Sequence, residues 1–205
     1  MPLTKRFLKN LPEKLTYIKN NALNNSAFDS VNIYFEDESR LGLLTIMRRV
    51  LTAKGIKPIA PYQHKFDNLY LFGAFSPING DNYLLEMPAC NSETFQIFLD
   101  QFSSQKPDEF KIMILDNGAF HHARRLLIPH NITLIFLPPY SPELNPAEKI
   151  WRVIKDHLSM TIHKDLSALQ KHLSQILHEY LTYDTVKSIC GNEFYKTQFK
   201  CTFNV

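Results

Sequence analysis

The feature that most constrains the fold is a segment in which an apolar run leads through a proline-rich loop into a helix. Residues 132–158 are ITLIFLPPYSPELNPAEKIWRVIKDHL. The first six residues are almost wholly apolar, which predicts a strand covered on both faces. Pro138 and Pro139 end that strand, because proline cannot donate to a β ladder. A buried strand, a stiff loop and a helix therefore follow one another here.

The start of this helix is marked by three residues. Asn145 is predicted as the N-cap, Pro146 as the first helical residue and Glu148 as the third. Glu148 has two interpretations. It either caps the helix and pairs with Arg152 four residues later, or is presented by the rigid loop to a site. The apolar residues at helical spacing predict one buried face and are Ala147, Ile150, Trp151, Ile154 and Leu158.

The distribution of charge is informative, although the net charge of +3 over 205 residues is too small to argue from. Residues 40–65 contain six basic residues and no acidic residue. Such a surplus suits a polyanion such as nucleic acid, but a solvated basic hairpin has the same composition. The six are Arg40, Arg48, Arg49, Lys54, Lys57 and Lys65.

Length and cysteine usage restrict the class of protein. A chain of 205 residues with 44% hydrophobic content can bury one core and fits one domain with a small appendage. Cys90, Cys190 and Cys201 are odd in number and lack metal-ligand spacing, which predicts reduced thiols. No stretch reaches the length of a membrane span, and no apolar signal core follows the basic N-terminus. We therefore expect a cytoplasmic protein without membrane contacts.

The order of the apolar runs predicts an α/β fold. Antiparallel strands are predicted at 31–37, 69–75 and 83–86, and the basic stretch predicts a further hairpin with its turn at Lys54–Gly55. A helix from Asn91 or Ser92 precedes a strand at 111–116, a short helix through His121, and the strand at 132. Because a crossover with a helix joins the last two predicted strands, they are expected to be parallel neighbours. The result is a mixed sheet, with antiparallel first strands and then parallel ones, flanked by helices.

Three units are expected along the chain. Residues 1–30 are predicted as an N-terminal arm or linker, with a short helix after Pro12 and an asparagine-rich end. Residues 31–160 form the main domain. In residues 161–205, an apolar stripe from Leu166 to Leu181 predicts helices that pack on the same domain.

Two predicted strands end in an aspartate. In VNIYFED, Asp37 shares the parity of the apolar residues, whereas Glu36 has the other parity. Asp116 follows the apolar run KIMIL. Each aspartate also has an interpretation without a functional site. The first strand could end at Phe35 before a solvated acidic turn, and Asp116 could be a helix cap or a turn residue.

These two aspartates and Glu148 would suit hard divalent cations, which prefer oxygen ligands. Two such ions about 3.5–4 Å apart can activate a nucleophile and stabilise the leaving oxygen at a phosphate. The three carboxylates therefore predict phosphate chemistry if the fold brings them together.

Four blocks of the chain carry a resemblance to a known family. FEDESR, NLYLFGAFSP, LDNGAFHHA and LPPYSPELNPAEKIW occur in that order between Phe35 and Leu158. They resemble the catalytic domain of bacterial insertion-sequence transposases of the Tc/mariner superfamily, the DDE endonucleases. The resemblance implies a ribonuclease H-like fold in which Asp37, Asp116 and Glu148 are catalytic and hold Mg²⁺ or Mn²⁺, expected as two ions.

The activity implied by the resemblance is metal-dependent cleavage of DNA at the ends of an element, followed by attack of the freed 3′-hydroxyl on target DNA. His121 falls where the family has a histidine after its Asp-Asn pair, and is expected near the substrate or a metal ligand. A homodimer on DNA is implied as well. The residues expected to contact DNA are Arg48, Arg49, Lys54, His121, Arg124 and Arg152.

Two departures from the family pattern leave other interpretations open. Arg49 to Leu51 stand where the family commonly has a tryptophan. About thirty residues precede Val31, where relatives carry helix-turn-helix modules, so end recognition is expected from a separate protein or an upstream reading frame. The chain would then be half of a split frame, a truncated copy or a fragment. The alternative functions are another ribonuclease H-like nuclease acting on branched or hybrid nucleic acid, and an inactive DNA-binding or oligomerisation remnant of a decayed element.

Overall fold

Five strands and five main helices make up the fold in the computed structural model, which describes residues 3–24, 28–191, 195, 199, 202 and 203. The strands are β1 (Ser30–Gly42), β2 (Asn68–Phe75), β3 (Asn82–Met87), β4 (Glu109–Leu115) and β5 (Ile132–Phe136). The helices are α1 (Leu3–Asn24), α2 (Ser92–Ser104), α3 (Ala147–Leu158), α4 (Leu166–Tyr180) and α5 (Tyr183–Cys190). Short 3₁₀ helices span Ala119–His122 and Pro142–Leu144.

The pairing of the strands confirms the predicted mixed sheet. Its order is β3-β2-β1-β4-β5. β1 pairs antiparallel with β2, and β2 with β3, whereas β4 pairs parallel with both β1 and β5. β1 is therefore the central strand, at which the sheet changes from antiparallel to parallel.

Helices cover both faces of the sheet. On one face, α1 packs against Ile33 and Phe35 of β1, and α3 to α5 pack against the β1–β2 end around Phe75 and Trp151. On the other face, Phe98 and the rest of the apolar stripe of α2 pack against β2 and β4. Full burial of one such side chain is worth about 1.5–3 kcal/mol, so the sheet is held firmly from both sides.

β1 is longer than predicted. The expected end at Asp37 is wrong, and so is the alternative end at Phe35, because β1 continues to Gly42. Residues 37–42 pair with β2, from Asp37 opposite Gly73 to Gly42 opposite Asn68. The acidic residues interrupt the apolar alternation, but the ladder with β2 continues through them.

The basic segment 43–67 is a long loop that joins β1 to β2. The predicted turn at Lys54–Gly55 is confirmed, and Gly55 has a φ of +86°. The strands predicted on either side of this turn are wrong, because this segment contains no sheet ladder. Two backbone hydrogen bonds close the base of the loop, from Leu43 N to Asp67 O at 2.9 Å and from Thr45 N to Gln63 O at 3.2 Å.

Helix α1 differs from the short helix predicted after Pro12, because it begins at Leu3 and runs through that proline. Leu11 and Leu15 are buried against the sheet at helical spacing, which explains why the helix forms. The asparagine-rich stretch that is predicted to end the helix and form a linker is itself helical as far as Asn24, and residues 25–27 lie outside the described residues.

The described cysteines, Cys90 and Cys190, are free, and Cys201 lies outside the part of the chain that the structure describes. Within the described residues, no helix combines the length and the apolar character that crossing a membrane requires.

Candidate active site

The register of β1 and β4 brings Asp37 and Asp116 together. Phe35 lies opposite Ile114 in the parallel ladder. Two residues further along the chain in each case, Asp37 within β1 and Asp116 just after β4 lie at corresponding positions, next to the carboxyl end of β4. Carboxyl ends of neighbouring parallel strands are where sites form in open α/β sheets.

The proline-rich loop and α3 bring the third acid to the same place. Asp37, Asp116 and Glu148 all line one cleft of about 460 Å³, and the loop residues 137–142 complete its wall. Three carboxylates that are far apart in sequence therefore converge.

Asn145 anchors the start of α3, although the helix begins one residue later than predicted. Its Oδ1 accepts a hydrogen bond from Ala147 N at 3.1 Å, and its Nδ2 donates to Glu36 O at 2.8 Å. The buried amide therefore ties the first turn of α3 to β1 beside Asp37, which fixes the position of Glu148.

Glu148 neither caps α3 nor pairs with Arg152, so the first of its two predicted interpretations is not supported. Asn145 N donates to Pro142 O at 2.9 Å instead of to the Glu148 carboxylate, so no capping box forms. Within the described residues, Glu148 and Arg152 form no ion pair. The Glu148 carboxylate is left facing the cleft.

Asp116 is a turn residue, as one interpretation of the sequence predicts, and it also lies at the cleft. Its Oδ1 accepts a hydrogen bond from Gly118 N at 2.9 Å, as a turn residue would, and the side chain also lines the cleft. The turn holds one carboxylate oxygen and orients the group.

Trp151 has a role beyond the core packing that its spacing predicts. Its Nε1 donates to Asp37 Oδ2 at 2.9 Å, while its ring packs edge-on against Phe75 with centroids 5.3 Å apart. The indole thus connects the hydrophobic core to the cleft and orients the Asp37 carboxylate. The one sequence signal for this role is that Trp151 follows Glu148 by three residues, which places both on the same side of α3.

Gly73 gives the indole the room that it needs. This glycine lies opposite Asp37 in the β1–β2 ladder. A Cβ atom here would lie 2.7 Å from Trp151 Cη2 and 2.6 Å from Phe75 Cζ, closer than such contacts allow. Any side chain at position 73 would therefore displace the ring that holds Asp37.

We predict that Gly73→Ala lowers the free energy of unfolding by about 1–3 kcal/mol, because it overpacks two rigid rings. Urea unfolding followed by tryptophan fluorescence measures this directly, since Trp151 is the single tryptophan of the chain. Gly118→Ala is the comparison variant, because Gly118 has a φ of −60° and its new Cβ would meet side-chain atoms at 3.0–3.4 Å, so a smaller loss of stability is expected. An unfolding curve of Gly73→Ala that matches the parent's would contradict this account of the packing.

The electrostatics of the cleft favour a cation. Burial raises the pKa of Asp37 to about 7, and the negative charges of Glu148 and then Asp116 add to the rise. The hydrogen bond from Trp151 lowers the pKa and offsets part of it. A bound divalent ion would replace this repulsion with attraction.

His121 lies beneath the cleft, where it is 3% exposed. Its Nε2 is 3.8 Å from Asp116 Oδ1 and 3.3 Å from Glu38 Oε1, the latter without hydrogen-bond geometry. Burial lowers the pKa of His121 to about 4, so the imidazole is neutral at pH 7. This burial argues against the predicted direct contact between His121 and DNA.

Glu36 and Glu38 lie on the face of β1 opposite Asp37. Burial, followed by the charges of Glu38 and Asp37, raises the pKa of Glu36 well above its usual range. Burial and the charge of Asp37 raise the pKa of Glu38 to about 8. Sequence reading identified neither residue as part of a buried group, because both appeared to belong to the solvated end of a strand.

The basic residues predicted to contact DNA lie outside the cleft. Arg48, Arg49 and Lys54 are exposed on loop 43–67, and Arg124 and Arg152 are exposed elsewhere on the surface. None of the five lines the cleft or forms an ion pair with a described residue. Their charges are therefore available to a ligand.

Comparison with known proteins identifies the family. Residues 32–170 match the family model described as DDE superfamily endonuclease, which is more than half of the chain. The chain belongs to the DDE superfamily of endonucleases. Asp37, Asp116 and Glu148 all lie within the matched residues, and their convergence at one cleft agrees with this family.

Other comparisons relate this DDE endonuclease to a curated protein and to solved structures. An uncharacterized protein of Sinorhizobium fredii, y4pE/y4sA, is 40% identical over 105 residues, which cover 50% of this chain and 78% of that protein. A Mos1 transposase paired-end complex with the left transposon end matches with a TM-score of 0.64 and 15% identity, covering 100% of this chain and 63% of that one. A Mos1 mariner paired-end complex with Mn matches with a TM-score of 0.61 and 16% identity, covering 100% and 64%.

At these identities, the likeness to the solved structures establishes the fold. It confirms the predicted ribonuclease H-like class, with its mixed sheet flanked by helices. The chain spans 63–64% of the length of these Mos1 transposase chains.

Proposed function

We propose that this DDE endonuclease domain is the catalytic part of a transposase that cleaves DNA at element ends and joins the freed 3′-hydroxyl to target DNA. The observation that carries the proposal is the convergence of Asp37, Asp116 and Glu148 in one cleft. Two further observations support it: the family match, and a shared fold with Mos1 transposase, whose solved complexes include a transposon end and Mn.

The three carboxylates would hold Mg²⁺ or Mn²⁺, and we propose two ions. The donor set fits, because it consists of oxygen atoms whose mutual repulsion is relieved by a cation. When bound, such ions activate the attacking water or hydroxyl and stabilise the leaving oxygen of the phosphodiester. The arrangement of the carboxylates therefore supports the proposal of metal-dependent phosphodiester chemistry.

The residues around the acids would keep them oriented through the reaction. Trp151 fixes one oxygen of Asp37, and the backbone N–H of Gly118 fixes one oxygen of Asp116. Asn145 holds the first turn of α3 against β1, so that Glu148 faces the two aspartates. Groups positioned in advance lower the reorganisation needed at the transition state.

DNA would be held by phosphate contacts from loop 43–67 and the neighbouring surface. The exposure of Arg48, Arg49, Lys54, Arg124 and Arg152 supports this role, as does their lack of ion pairs with described residues. We further propose a homodimer assembled on DNA and end recognition by a separate helix-turn-helix protein or upstream reading frame. The site of action would be the cytoplasm.

For the chain itself, we propose that residues 31–160 are the catalytic domain and residues 161–205 helices packed on it. Residues 1–30 would remain an N-terminal arm. The burial of Leu11 and Leu15 indicates that α1 of this arm docks on the sheet.

The test uses the purified chain, supercoiled plasmid and a high concentration of a labelled duplex whose free 3′-hydroxyl stands in for a cleaved element end, so that no separate recognition protein is required. We expect nicking of the plasmid that requires Mg²⁺ or Mn²⁺, and covalent transfer of the label to plasmid. Nicking without joining would contradict the transposase and favour a ribonuclease H-like nuclease. Binding of DNA without metal-dependent nicking would favour an inactive remnant.

A further inference from the structure

A second group of polar side chains lies on the face of β1 opposite Asp37. Glu36 and Glu38 reach this face because alternate residues of a strand point the same way, and His121 comes from the 3₁₀ helix after β4. One ligand atom from each of the three residues lies within 4.8 Å of the others. We propose that Glu36, Glu38 and His121 bind a divalent transition-metal ion such as Zn²⁺, separately from the catalytic cleft.

The unpartnered state of these atoms is the first argument for the site. Glu36 is 0% exposed, and among the described residues its carboxylate has no partner outside the group: it interacts only with Glu38, a contact that requires a proton on one of the two carboxyls. Glu38 Oε1 and both ring nitrogens of His121 are also buried without a hydrogen bond. Buried polar atoms are almost always satisfied by protein, water or an ion, so a group of five atoms that have no partner outside the group is suited to binding one.

The surroundings indicate that the ligand is a cation. Among the described residues, no lysine or arginine lies within 4.0 Å of either carboxylate. The His121 ring lies 4.5 Å from the ring of Phe95 and 4.1 Å from that of Phe120, measured between centroids. Without an ion the two carboxyls avoid a buried double charge by retaining protons, whereas one divalent ion can replace those protons and leave the group neutral.

The donor types select the class of metal. An imidazole nitrogen with two carboxylate oxygens is a ligand set that Zn²⁺ accepts, commonly in four-coordinate geometry. Mg²⁺ strongly prefers oxygen ligands and retained water, which suits the open cleft on the other face better than this enclosed group. The two faces of β1 would therefore favour different metals.

A metal ion at this site would also support the cleft. His121 Nε2 lies 3.8 Å from Asp116 Oδ1, so an ion that fixes the imidazole would fix the residue directly beneath one cleft carboxylate. This support is structural and does not depend on the proposed transposase reaction.

The first test separates the two sites by removing the cleft carboxylates. The untagged full chain carrying Asp37→Asn and Asp116→Asn is loaded with Zn²⁺ or Co²⁺ and passed into metal-free buffer. We expect one retained ion per chain by elemental analysis, with visible absorption bands for Co²⁺. Adding Glu38→Gln or His121→Asn to this background is expected to abolish retention, with circular dichroism confirming that each variant is folded.

A second measurement uses the effect of metal on thermal stability. In EDTA, Glu36→Gln replaces an unpaired buried carboxylate with a neutral amide, so its Tm is expected to equal or exceed that of the parent. Zn²⁺ should raise the Tm of the parent but not that of Glu36→Gln. No retained ion in the double aspartate variant would overturn the site, as would equal retention after Glu38→Gln or an equal Zn²⁺-dependent rise in the Tm of Glu36→Gln.

Discussion

Replacing Asp116 with asparagine is expected to reduce metal-dependent DNA cleavage by about 10²–10³-fold, the scale observed when a charge-stabilising group is removed from an active site. The fold should not change, because the side chain is 58% exposed and asparagine Oδ1 can still accept the hydrogen bond from Gly118 N. The substitution removes one negative charge from the three that would hold the metal. Nicking of supercoiled plasmid in Mg²⁺ measures the effect.

Asp108→Asn is the matched control for this variant. Asp108 is also exposed, but it lies just before the opposite end of β4 and outside the cleft. We expect it to cut DNA like the parent. If Asp116→Asn cut DNA as fast as Asp108→Asn, with the same melting curve, Asp116 would not be a catalytic metal ligand.

The second large effect is expected on the free energy of unfolding, because Mn²⁺ and pH both act on the carboxylates of the cleft. The pKa of Asp37 is raised from 3.8 to about 7 by burial and by the charges of Glu148 and Asp116. Between about pH 4 and 7, the unfolded chain therefore loses this proton while the folded chain retains it. Without metal, the free energy of unfolding should fall as the pH rises through this range.

Mn²⁺ should reverse this loss at neutral pH, because it binds the ionised carboxylates of the folded chain. A concentration of one hundred times the dissociation constant adds about 2.7 kcal/mol to the free energy of unfolding. At pH 5, the proton on Asp37 competes with the ion, so the gain should be smaller. Urea unfolding followed by Trp151 fluorescence at pH 5 and 7.5, with and without Mn²⁺, measures both effects.

Glu148→Gln is the informative variant in this experiment. It removes a charge that raises the pKa of Asp37 and also removes one of the three cleft carboxylates proposed to bind metal, so both the slope with pH and the gain from Mn²⁺ should decrease. Glu143→Gln changes an exposed acid on the same loop that does not line the cleft, and should behave like the parent. Equal stabilisation of Glu148→Gln and the parent by Mn²⁺ would contradict the assignment of Glu148.

Much of the fold could be predicted from the sequence, because its signals are local. The apolar runs identified all five strands, and Asn91 caps α2 as its position predicted. The end of β1 could not be predicted, because it depends on pairing with residues of β2 that lie 26 to 36 residues further along the chain. Loop 43–67 was predicted as strands for a related reason: apolar residues suggested a ladder that the exposed segment does not form.

The candidate site was predicted in part. The positions of Asp37, Asp116 and Glu148 followed from strand ends, a helix start and the family resemblance, and the structure brings all three to one cleft. Asn145 was expected only as a cap, and Trp151 only as core. Their contacts to β1 span 109 and 114 residues, and no local pattern encodes such long-range hydrogen bonds.

Gly73 and the buried group on the other face of β1 illustrate the same limit. Gly73 lies in an apolar strand, and nothing in the sequence shows that the ring of Trp151 packs over it. Glu36 and Glu38 alternate with Asp37, but the residue that they meet on this face, His121, lies more than 80 residues further along the chain. Tertiary packing, rather than local propensity, determines these features.

The most direct test of the central claim is an anomalous diffraction map of a crystal soaked in Mn²⁺, recorded for the parent and for Asp116→Asn. The proposed chemistry predicts Mn²⁺ peaks bounded by Asp37, Asp116 and Glu148 in the parent, and their loss in the variant. An empty cleft in a parent crystal that binds Mn²⁺ elsewhere, or peaks that persist unchanged in Asp116→Asn, would contradict the claim that these three carboxylates form the catalytic metal site.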